Sequence, residues 1–131
     1  MTKTIRASII ENKEYLGGKI NVIVPFDDTY MFFYLALLNS KIINFWYREK
    51  FSMQHMQGGA LPINTTELFM IPIPKIEKKL LERISTLSRN LFEGNIEDLK
   101  GVHIELDNLV FKSFQLSGDE IETVLRQYET Y

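Results

Sequence analysis

The chain has 131 residues, a length that suits one domain or one compact unit with a helical appendage. Hydrophobic residues make up 45% of it and aromatic residues 12%, which is enough for a core and argues against wholesale disorder. It contains no cysteine, which excludes disulfides, thiolate metal sites and cysteine nucleophiles and is compatible with a reducing cytoplasm. The N-terminus lacks the apolar core of a signal peptide, and the longest apolar run, Tyr30 to Leu38, is too short to span a bilayer. We therefore expect a cytoplasmic protein with no membrane contact.

The net charge of −2 is unevenly distributed. Residues 1–92 carry twelve Lys/Arg against eight Asp/Glu, a net of +4, whereas residues 93–131 carry three against nine, a net of −6. Such asymmetry can indicate a different partner for each part of the chain. An acidic tail that only keeps the protein soluble explains the same pattern.

The opening segment, Thr4 to Pro25, predicts β structure. Ile5, Ala7 and Ile9 alternate with their neighbours at the period of a half-buried strand, and Lys19 to Val24 forms the clearest predicted strand. Because the chain starts directly on a strand, we expect it to be a fragment of a longer protein.

Two short apolar helices follow, from Tyr30 to Leu38 and from Lys41 to about Lys50. Asn39 is expected to end the first in a left-handed conformation, and Ser40 to cap the second. In the second helix the apolar spacing turns one face toward a core. The residues of that face are Ile42, Phe45, Trp46 and, less centrally, Ile43. The residues expected nearer solvent are Lys41, Asn44, Arg48 and Lys50.

From Lys75 onward the pattern is helical again. Apolar residues recur at three- and four-residue spacing over 76–91 and over 99–110, which predicts an antiparallel hairpin of two amphipathic helices. Ser117 and Glu120 form a capping-box sequence, which predicts a short C-terminal helix from Gly118 to about Tyr128.

The sequence contains no recognisable catalytic or metal-binding constellation. Its only histidines, His55 and His103, are far apart and lack partners at ligand spacing. No serine lies in a nucleophile elbow, and neither Gly17-Gly18 nor Gly58-Gly59 belongs to a phosphate-binding loop. Polar side chains that commonly contact DNA do cluster around the central loop, although an ordinary polar surface loop has the same composition. These residues are Lys41, Arg48, Lys50, Gln54, His55, Gln57, Asn64 and Thr65.

Three blocks of sequence, in matching order, resemble a known family. They are the run from Tyr34 to Arg48 followed by Gly58-Gly59, the segment Ile71-Pro72-Ile73-Pro74, and the tail formed by 106–111 and 116–121. Together they resemble the C-terminal TaqI-like specificity domain, or target-recognition domain, of type II restriction-modification methyltransferases. The type I specificity subunits are similar in outline. The resemblance covers roughly residues 15 to 125.

The resemblance implies an α/β (α+β) target-recognition domain over residues 1–74, with a helical section over 75–131 packed on it as one compact unit. It also implies sequence-specific recognition of duplex DNA, which positions a methyltransferase or nuclease of the same chain or complex on its site. Lys41, Arg48 and Lys50 are the expected phosphate contacts. The expected base-reading residues are Gln54, His55 and Gln57, with Gly58 and Gly59 allowing close approach of the backbone.

The catalytic signatures of such enzymes are missing from this sequence. It has no Asn-Pro-Pro-Tyr/Phe motif, no cofactor glycine motif and no nuclease carboxylate-Lys cluster. We therefore expect a non-catalytic specificity region with no cofactor of its own, and S-adenosylmethionine and Mg²⁺ are implied only for catalytic parts outside it. The alternative is a protein–protein interaction module without DNA contact. A small hydrolase or transferase is a third possibility that no motif supports.

Overall fold

A computed structural model describes residues 5–10, 21–51 and 63–129, and the regular structure in these ranges is helical. The helices are α1 (Met31–Leu38), α2 (Lys41–Phe51), α3 (Thr65–Phe69), α4 (Lys78–Glu93), α5 (Leu99–Ser113) and α6 (Gly118–Glu129), with a 3-10 turn over Asp28–Tyr30. Since the described residues include no strand, the predicted α/β fold is wrong. None of the described helices combines the length and apolarity that a membrane crossing needs.

The N-terminal segment 5–10 shows why the strand prediction failed. Its side chains alternate as predicted, with Ile5, Ala7 and Ile9 half-buried and the residues between them exposed. Its backbone, however, bonds to helix side chains. Ala7 N–H donates to Asn39 Oδ1 at 2.9 Å, Asn39 Nδ2 donates to the Ala7 carbonyl at 3.0 Å, and Ile5 N–H donates to Asn44 Oδ1. The alternation therefore indicates only which side of the segment is buried. The asparagine side chains make the backbone hydrogen bonds that a neighbouring strand would make in a sheet.

The other segments expected to be extended are also not strands. Residues 21–25 and 71–76 have no regular structure, and residues 19 and 20 of the predicted strand lie outside the described ranges. In the second segment Pro72 and Pro74 have no N–H to donate to a ladder, and only Ile71 is buried. The buried side chain therefore anchors this stretch to the core without a sheet.

Helices α1 and α2 lie where the sequence predicts them, and one of the two predictions for the junction between them is wrong. Ser40 Oγ accepts the Ile43 N–H at 3.3 Å, so the predicted cap is confirmed. Asn39 has φ −90° and ψ 0°, so the expected left-handed termination is wrong. Its side chain instead accepts from and donates to the N-terminal segment.

The buried face of α2 is rotated by about one residue from the predicted face. The buried residues are Ile43, Asn44, Tyr47 and Phe51, whereas Ile42, Phe45 and Trp46 are only half-buried. Asn44 is 1% exposed because its amide donates to the Ser40 carbonyl at 2.8 Å and its Oδ1 accepts from the N-terminal segment. These specific bonds allow a polar residue into the core.

A single hydrophobic core joins the two halves of the chain. Helix α1 packs against both α4 and α5, and α4 and α5 pack on each other. Five residues, 94–98, separate α4 from α5, so the two helices run in opposite directions, and Gly94 ends α4 with a φ of 77°. The fully or nearly fully buried members of this core are Phe33, Ala36, Leu37, Ile43, Ile71, Leu81, Ile84, Leu87, Leu106 and Val110.

The C-terminal helix α6 begins at the predicted capping box. Glu120 N–H donates to Ser117 Oγ at 3.2 Å, and Ser117 N–H donates to Glu120 Oε1 at 2.9 Å. These hydrogen bonds lower the pKa of the Glu120 carboxyl. Helix α6 packs on α2, so the acidic C-terminal part of the chain lies against α2.

We expect Leu106→Asp to unfold the hairpin of α4 and α5. Leu106 is 7% exposed, and burying an unpaired carboxylate there while losing the leucine contacts costs more than about 3 kcal/mol. Thermal melting followed by far-ultraviolet circular dichroism measures the effect. Ile104→Asp is the matched control, because Ile104 is 52% exposed on the same helix. An unchanged melting temperature in Leu106→Asp would contradict the packing described above.

Candidate functional site

Two of the three predicted phosphate contacts lie on one side of α2, beside α6. Lys41 and Arg48 are seven residues apart and share a helix face, whereas Lys50 lies roughly 180° around the helix from Lys41. The Lys41 ammonium is 5.6 Å from the centroid of the Tyr128 ring. Burial raises the pKa of the Tyr128 hydroxyl, the Asp107 charge raises it further, and the nearby Arg48 charge lowers it. This end of α6 therefore lies among the charges of α2 and α5.

Asp107 of α5 fixes the start of α2. Its Oδ1 accepts the backbone N–H of Lys41 at 2.9 Å. Burial raises the pKa of the Asp107 carboxyl, while the Lys41 hydrogen bond and the charges of Lys41 and His103 oppose that rise. Asp107 also lines a cavity of about 190 Å³ together with Ser40, Ser88 and His103. The carboxylate thus holds the helix that carries the predicted DNA contacts.

Lys50 lies apart from the other two cations. It is exposed in the last turn of α2, and its ammonium is 5.8 Å from the centroid of the Trp46 ring. Trp46 in turn meets the Phe51 ring edge-on at 5.9 Å. The structure therefore does not gather Lys41, Arg48 and Lys50 on one surface.

The predicted base-reading residues Gln54, His55, Gln57, Gly58 and Gly59 lie outside the described residues. The described chain stops at Phe51 in α2 and resumes at Ile63, just before α3. The two flanks are joined by the hydrogen bond that Tyr47 Oη donates to Glu67 Oε2 at 2.6 Å. Burial raises the pKa of the Tyr47 hydroxyl, and the bond to Glu67 raises it further.

The short helix α3 and its buried acid, Glu67, are not among the elements and residues predicted from the sequence. Asn64 Oδ1 accepts the Glu67 N–H at 2.8 Å, and Glu67 Oε2 accepts the Asn64 N–H at 3.3 Å, which completes a capping box. The sequence contained the signal, an Asn three residues before a Glu. Asn64 and Thr65 belong to the polar residues that the sequence places around the central loop. In the structure Asn64 caps the helix, and Thr65 Oγ1 donates to Asn21 Oδ1 at 3.1 Å.

An exposed apolar surface lies beside Tyr34, Leu37 and Leu38 of α1. It consists of the large exposed hydrophobic residues in two stretches of the chain, one before α1 and one that begins at the end of α3, namely Val22, Ile23, Val24, Phe26, Phe69, Met70 and Ile73. Val24 is 80% exposed and Phe69 is 85% exposed. Between the segments is a groove of about 240 Å³ that is floored by Tyr34, Leu37 and Leu38 of α1. Large exposed apolar patches commonly mark sites of interaction.

The described ranges offer no metal site, since no three of their His, Asp and Glu side chains are placed to hold an ion. His103 is exposed and contributes its charge beside Asp107.

We expect Asp107→Asn to melt at the same temperature as the wild type or higher at neutral pH. A carboxyl whose pKa rises on folding favours folding when protonated, and that contribution is lost as pH rises from its ordinary value of 3.8 through the raised value. Asparagine can still accept the Lys41 N–H but does not titrate. The melting difference, variant minus wild type, should therefore increase with pH across this window.

Melting temperatures measured from pH 3 upward in closely spaced steps test this, with Glu97→Gln, which removes an exposed carboxylate, as the control. A melting difference that falls as pH rises would show that the ionised Asp107 stabilises the fold.

Comparison of the chain with models of protein families, with curated proteins and with solved structures finds no match.

Proposed function

We propose that this chain recognises a specific sequence of duplex DNA, as the specificity region of a restriction-modification system, and places a methyltransferase or nuclease on its site. One observation carries the proposal. The last turn of α2 places Arg48 and the exposed Lys50 directly before segment 52–62, which contains the predicted base-reading side chains. Both flanks of that segment are fixed to the folded body through the Tyr47–Glu67 bond. A polar recognition segment supported by a rigid base is typical of binding loops.

The cations and the segment have separate roles in this proposal. Lys41, Arg48 and Lys50 contact phosphates and set the orientation of the protein on the duplex, whatever its sequence. Because Lys50 lies across the helix from Lys41 and Arg48, the contacts divide between two positions along the DNA backbone. Basic residues in a last turn also stabilise the helix dipole. The salt dependence of DNA binding distinguishes a basic residue that contacts phosphate from one that only stabilises the helix.

In this proposal, side chains of segment 52–62 contact the base edges. Gln54 and Gln57 have amide groups that can pair with two atoms of an adenine edge, and His55 offers ring nitrogens. Gly58 and Gly59 let the backbone approach the bases. The catalytic chemistry, with S-adenosylmethionine or Mg²⁺, belongs to the partner domain or subunit in this proposal.

We expect DNA affinity to fall with rising salt, with a log–log slope of about −0.9 per neutralised phosphate. Changing Lys41, Arg48 or Lys50 to Ala should weaken binding to every duplex similarly and should make the slope about one unit less steep. Lys100→Ala is the control, since Lys100 is exposed on α5. Fluorescence anisotropy of labelled duplexes from 50 to 300 mM salt measures both quantities.

The base-reading half of the proposal has its own variants. Gln54→Ala or Gln57→Ala should cost about 1–3 kcal/mol on the duplex selected from a random library and little on unrelated DNA. Equal losses on all duplexes would refute base reading alone. If all five substitutions leave affinity, salt slope and selected sequence unchanged in folded protein, the proposed function is wrong.

The apolar surface supports a second candidate function, a protein-interaction module without DNA contact. Its exposed residues on segments 21–26 and 69–73 would bury against a partner, and each large side chain is worth about 1.5–3 kcal/mol when fully buried. Burial on this scale is enough to hold a partner subunit in place. The same surface is compatible with DNA recognition elsewhere on the molecule, so it favours an interface without excluding the first proposal.

If the apolar surface holds the methyltransferase subunit of the first proposal, Val24→Asp and Phe69→Asp should abolish association with that subunit while the chain remains folded. Both residues are exposed, so the charge costs the isolated chain little. Sedimentation velocity of the mixed proteins measures the association, and Ile104→Asp supplies an equally exposed hydrophobic position on α5 as the control. Association that survives both changes would rule out this surface as the interface.

A further inference from the structure

The cavity beside Asp107 lies where four parts of the fold meet. Helices α1, α4 and α5 and the N-terminal segment 5–10 all contribute to its lining. Ser8 and His103 line it and are both exposed, so the cavity is open to solvent on their side. A cavity of about 150 Å³ is enough for benzene, so one of about 190 Å³ accommodates an aromatic ring with a small substituent. Its apolar lining residues are Ala7, Leu35, Ala36, Leu91, Phe92 and Leu106.

Two polar side chains of the lining keep hydrogen-bonding capacity that the described residues do not use. Asp107 Oδ1 accepts the Lys41 N–H, whereas no described residue donates to Asp107 Oδ2. Ser88 is 2% exposed, and its hydroxyl makes no hydrogen bond to a described residue. Ser40 Oγ, by contrast, already donates to one backbone group and accepts from another. Because buried polar groups are rarely left unpaired, Asp107 and Ser88 are the groups that a bound molecule would satisfy.

The charges around the cavity favour a neutral ligand with an N–H group. The Asp107 carboxylate repels an anion. A second cation is disfavoured because the charges of Lys41 and His103 already act on this carboxylate. A neutral N–H donor adds no charge and gives the carboxylate oxygen the donor that it lacks. Apolar walls with a few polar groups are typical of small-molecule sites.

We propose that this cavity binds a neutral aromatic ring that carries an amino group, an aminopyrimidine being the simplest case. The ring packs against Leu35, Leu91 and Phe92. Its amino group donates to Asp107 Oδ2, and the Ser88 hydroxyl donates to a ring nitrogen. This binding does not require DNA recognition, so either function can fail without the other.

Three ligands built on one ring test which group is recognised. They are 2-aminopyrimidine, unsubstituted pyrimidine and pyrimidine-2-carboxylate, each titrated into the isotope-labelled full chain while its amide NMR signals are recorded. We expect 2-aminopyrimidine to bind saturably, in the millimolar range or tighter, because so small a ligand makes few contacts. The signals that shift should belong to residues around the cavity. Pyrimidine should bind at least about tenfold more weakly because it lacks the donor to Asp107, and the carboxylate should not bind measurably.

Substitutions test the two polar groups separately. In Asp107→Asn the side-chain oxygen still accepts the Lys41 N–H, while the amide nitrogen replaces Oδ2 and presents a donor to the donor of the ligand. Affinity for 2-aminopyrimidine should therefore fall at least about tenfold, and Ser88→Ala should lower it about threefold or more. Ser85→Ala is the matched control, because Ser85 Oγ is also buried without a partner among the described residues, one turn before Ser88, but does not line the cavity. Its affinity should stay within twofold of the wild type.

Equal affinity for pyrimidine and 2-aminopyrimidine would show that the carboxylate is not used and would overturn the inference. Unchanged affinity in folded Asp107→Asn has the same meaning. Signals that shift only around the apolar groove beside Tyr34, or no saturable binding at all, would also refute the site. Should Asp107→Asn fail to fold, the serine pair decides, since equal affinity in Ser88→Ala and Ser85→Ala would place the ligand elsewhere.

Discussion

The fold depends on one constraint, which is that helix α1 is apolar on nearly every side. Its sequence runs Met-Phe-Phe-Tyr-Leu-Ala-Leu-Leu, and a helix of this kind is stable in water only when other elements cover it. Phe33 and Leu37 are fully buried, and α4 and α5 pack on the same helix. Helices α4 and α5 can cover α1 because each has one apolar face and one charged face. Helix α2 and the 3-10 turn also contact α1, whereas α6 packs on α2.

The two sides of α1 are covered by different kinds of structure. Two long regular helices pack on one side, whereas irregular segments that include Ile23 and Ile73 border the other. Irregular chain covers a helix less completely than a second helix does, because its side chains do not repeat along one face. A groove floored by Tyr34 and Leu38 remains as a result. The apolar surface is therefore a direct product of the way in which α1 is buried.

The long helices could be predicted from the sequence because their periodicity extends over several turns. The strands could not, since alternation shows only that one side of a segment is buried. The partners of the backbone in segment 5–10 are Asn39 and Asn44, more than thirty residues away, and no local pattern indicates such a bond. The face of α2 was misjudged for a related reason, because Asn44 and Tyr47 are polar residues that enter the core through specific hydrogen bonds.

The candidate site was predictable only in part. Basic residues near the end of α2 could be named from composition, but Lys41 and Lys50 fall on opposite sides of the helix, a separation that follows from helical geometry once the bounds are known. Glu67 was overlooked because acids are expected at the surface, although its capping-box spacing from Asn64 was visible. Local rules thus identified helix ends and cationic positions, and long-range bonds determined how they are arranged.

The bonds between Asn39 and Ala7 also bear on which positions can change. Asn39 bonds to the peptide groups of Ala7, donating to its carbonyl and accepting from its N–H, and its amide also donates to the Leu35 carbonyl at 2.9 Å. The exposed side chains at Arg6, Ser8 and Ile10 take no part in these bonds, so they are free to vary as long as the segment keeps its alternation. The asparagine has no such freedom, because aspartate lacks the donor and a hydroxyl cannot span both groups. Sequence drift should therefore accumulate along the docked segment, while the amide that holds it stays the same.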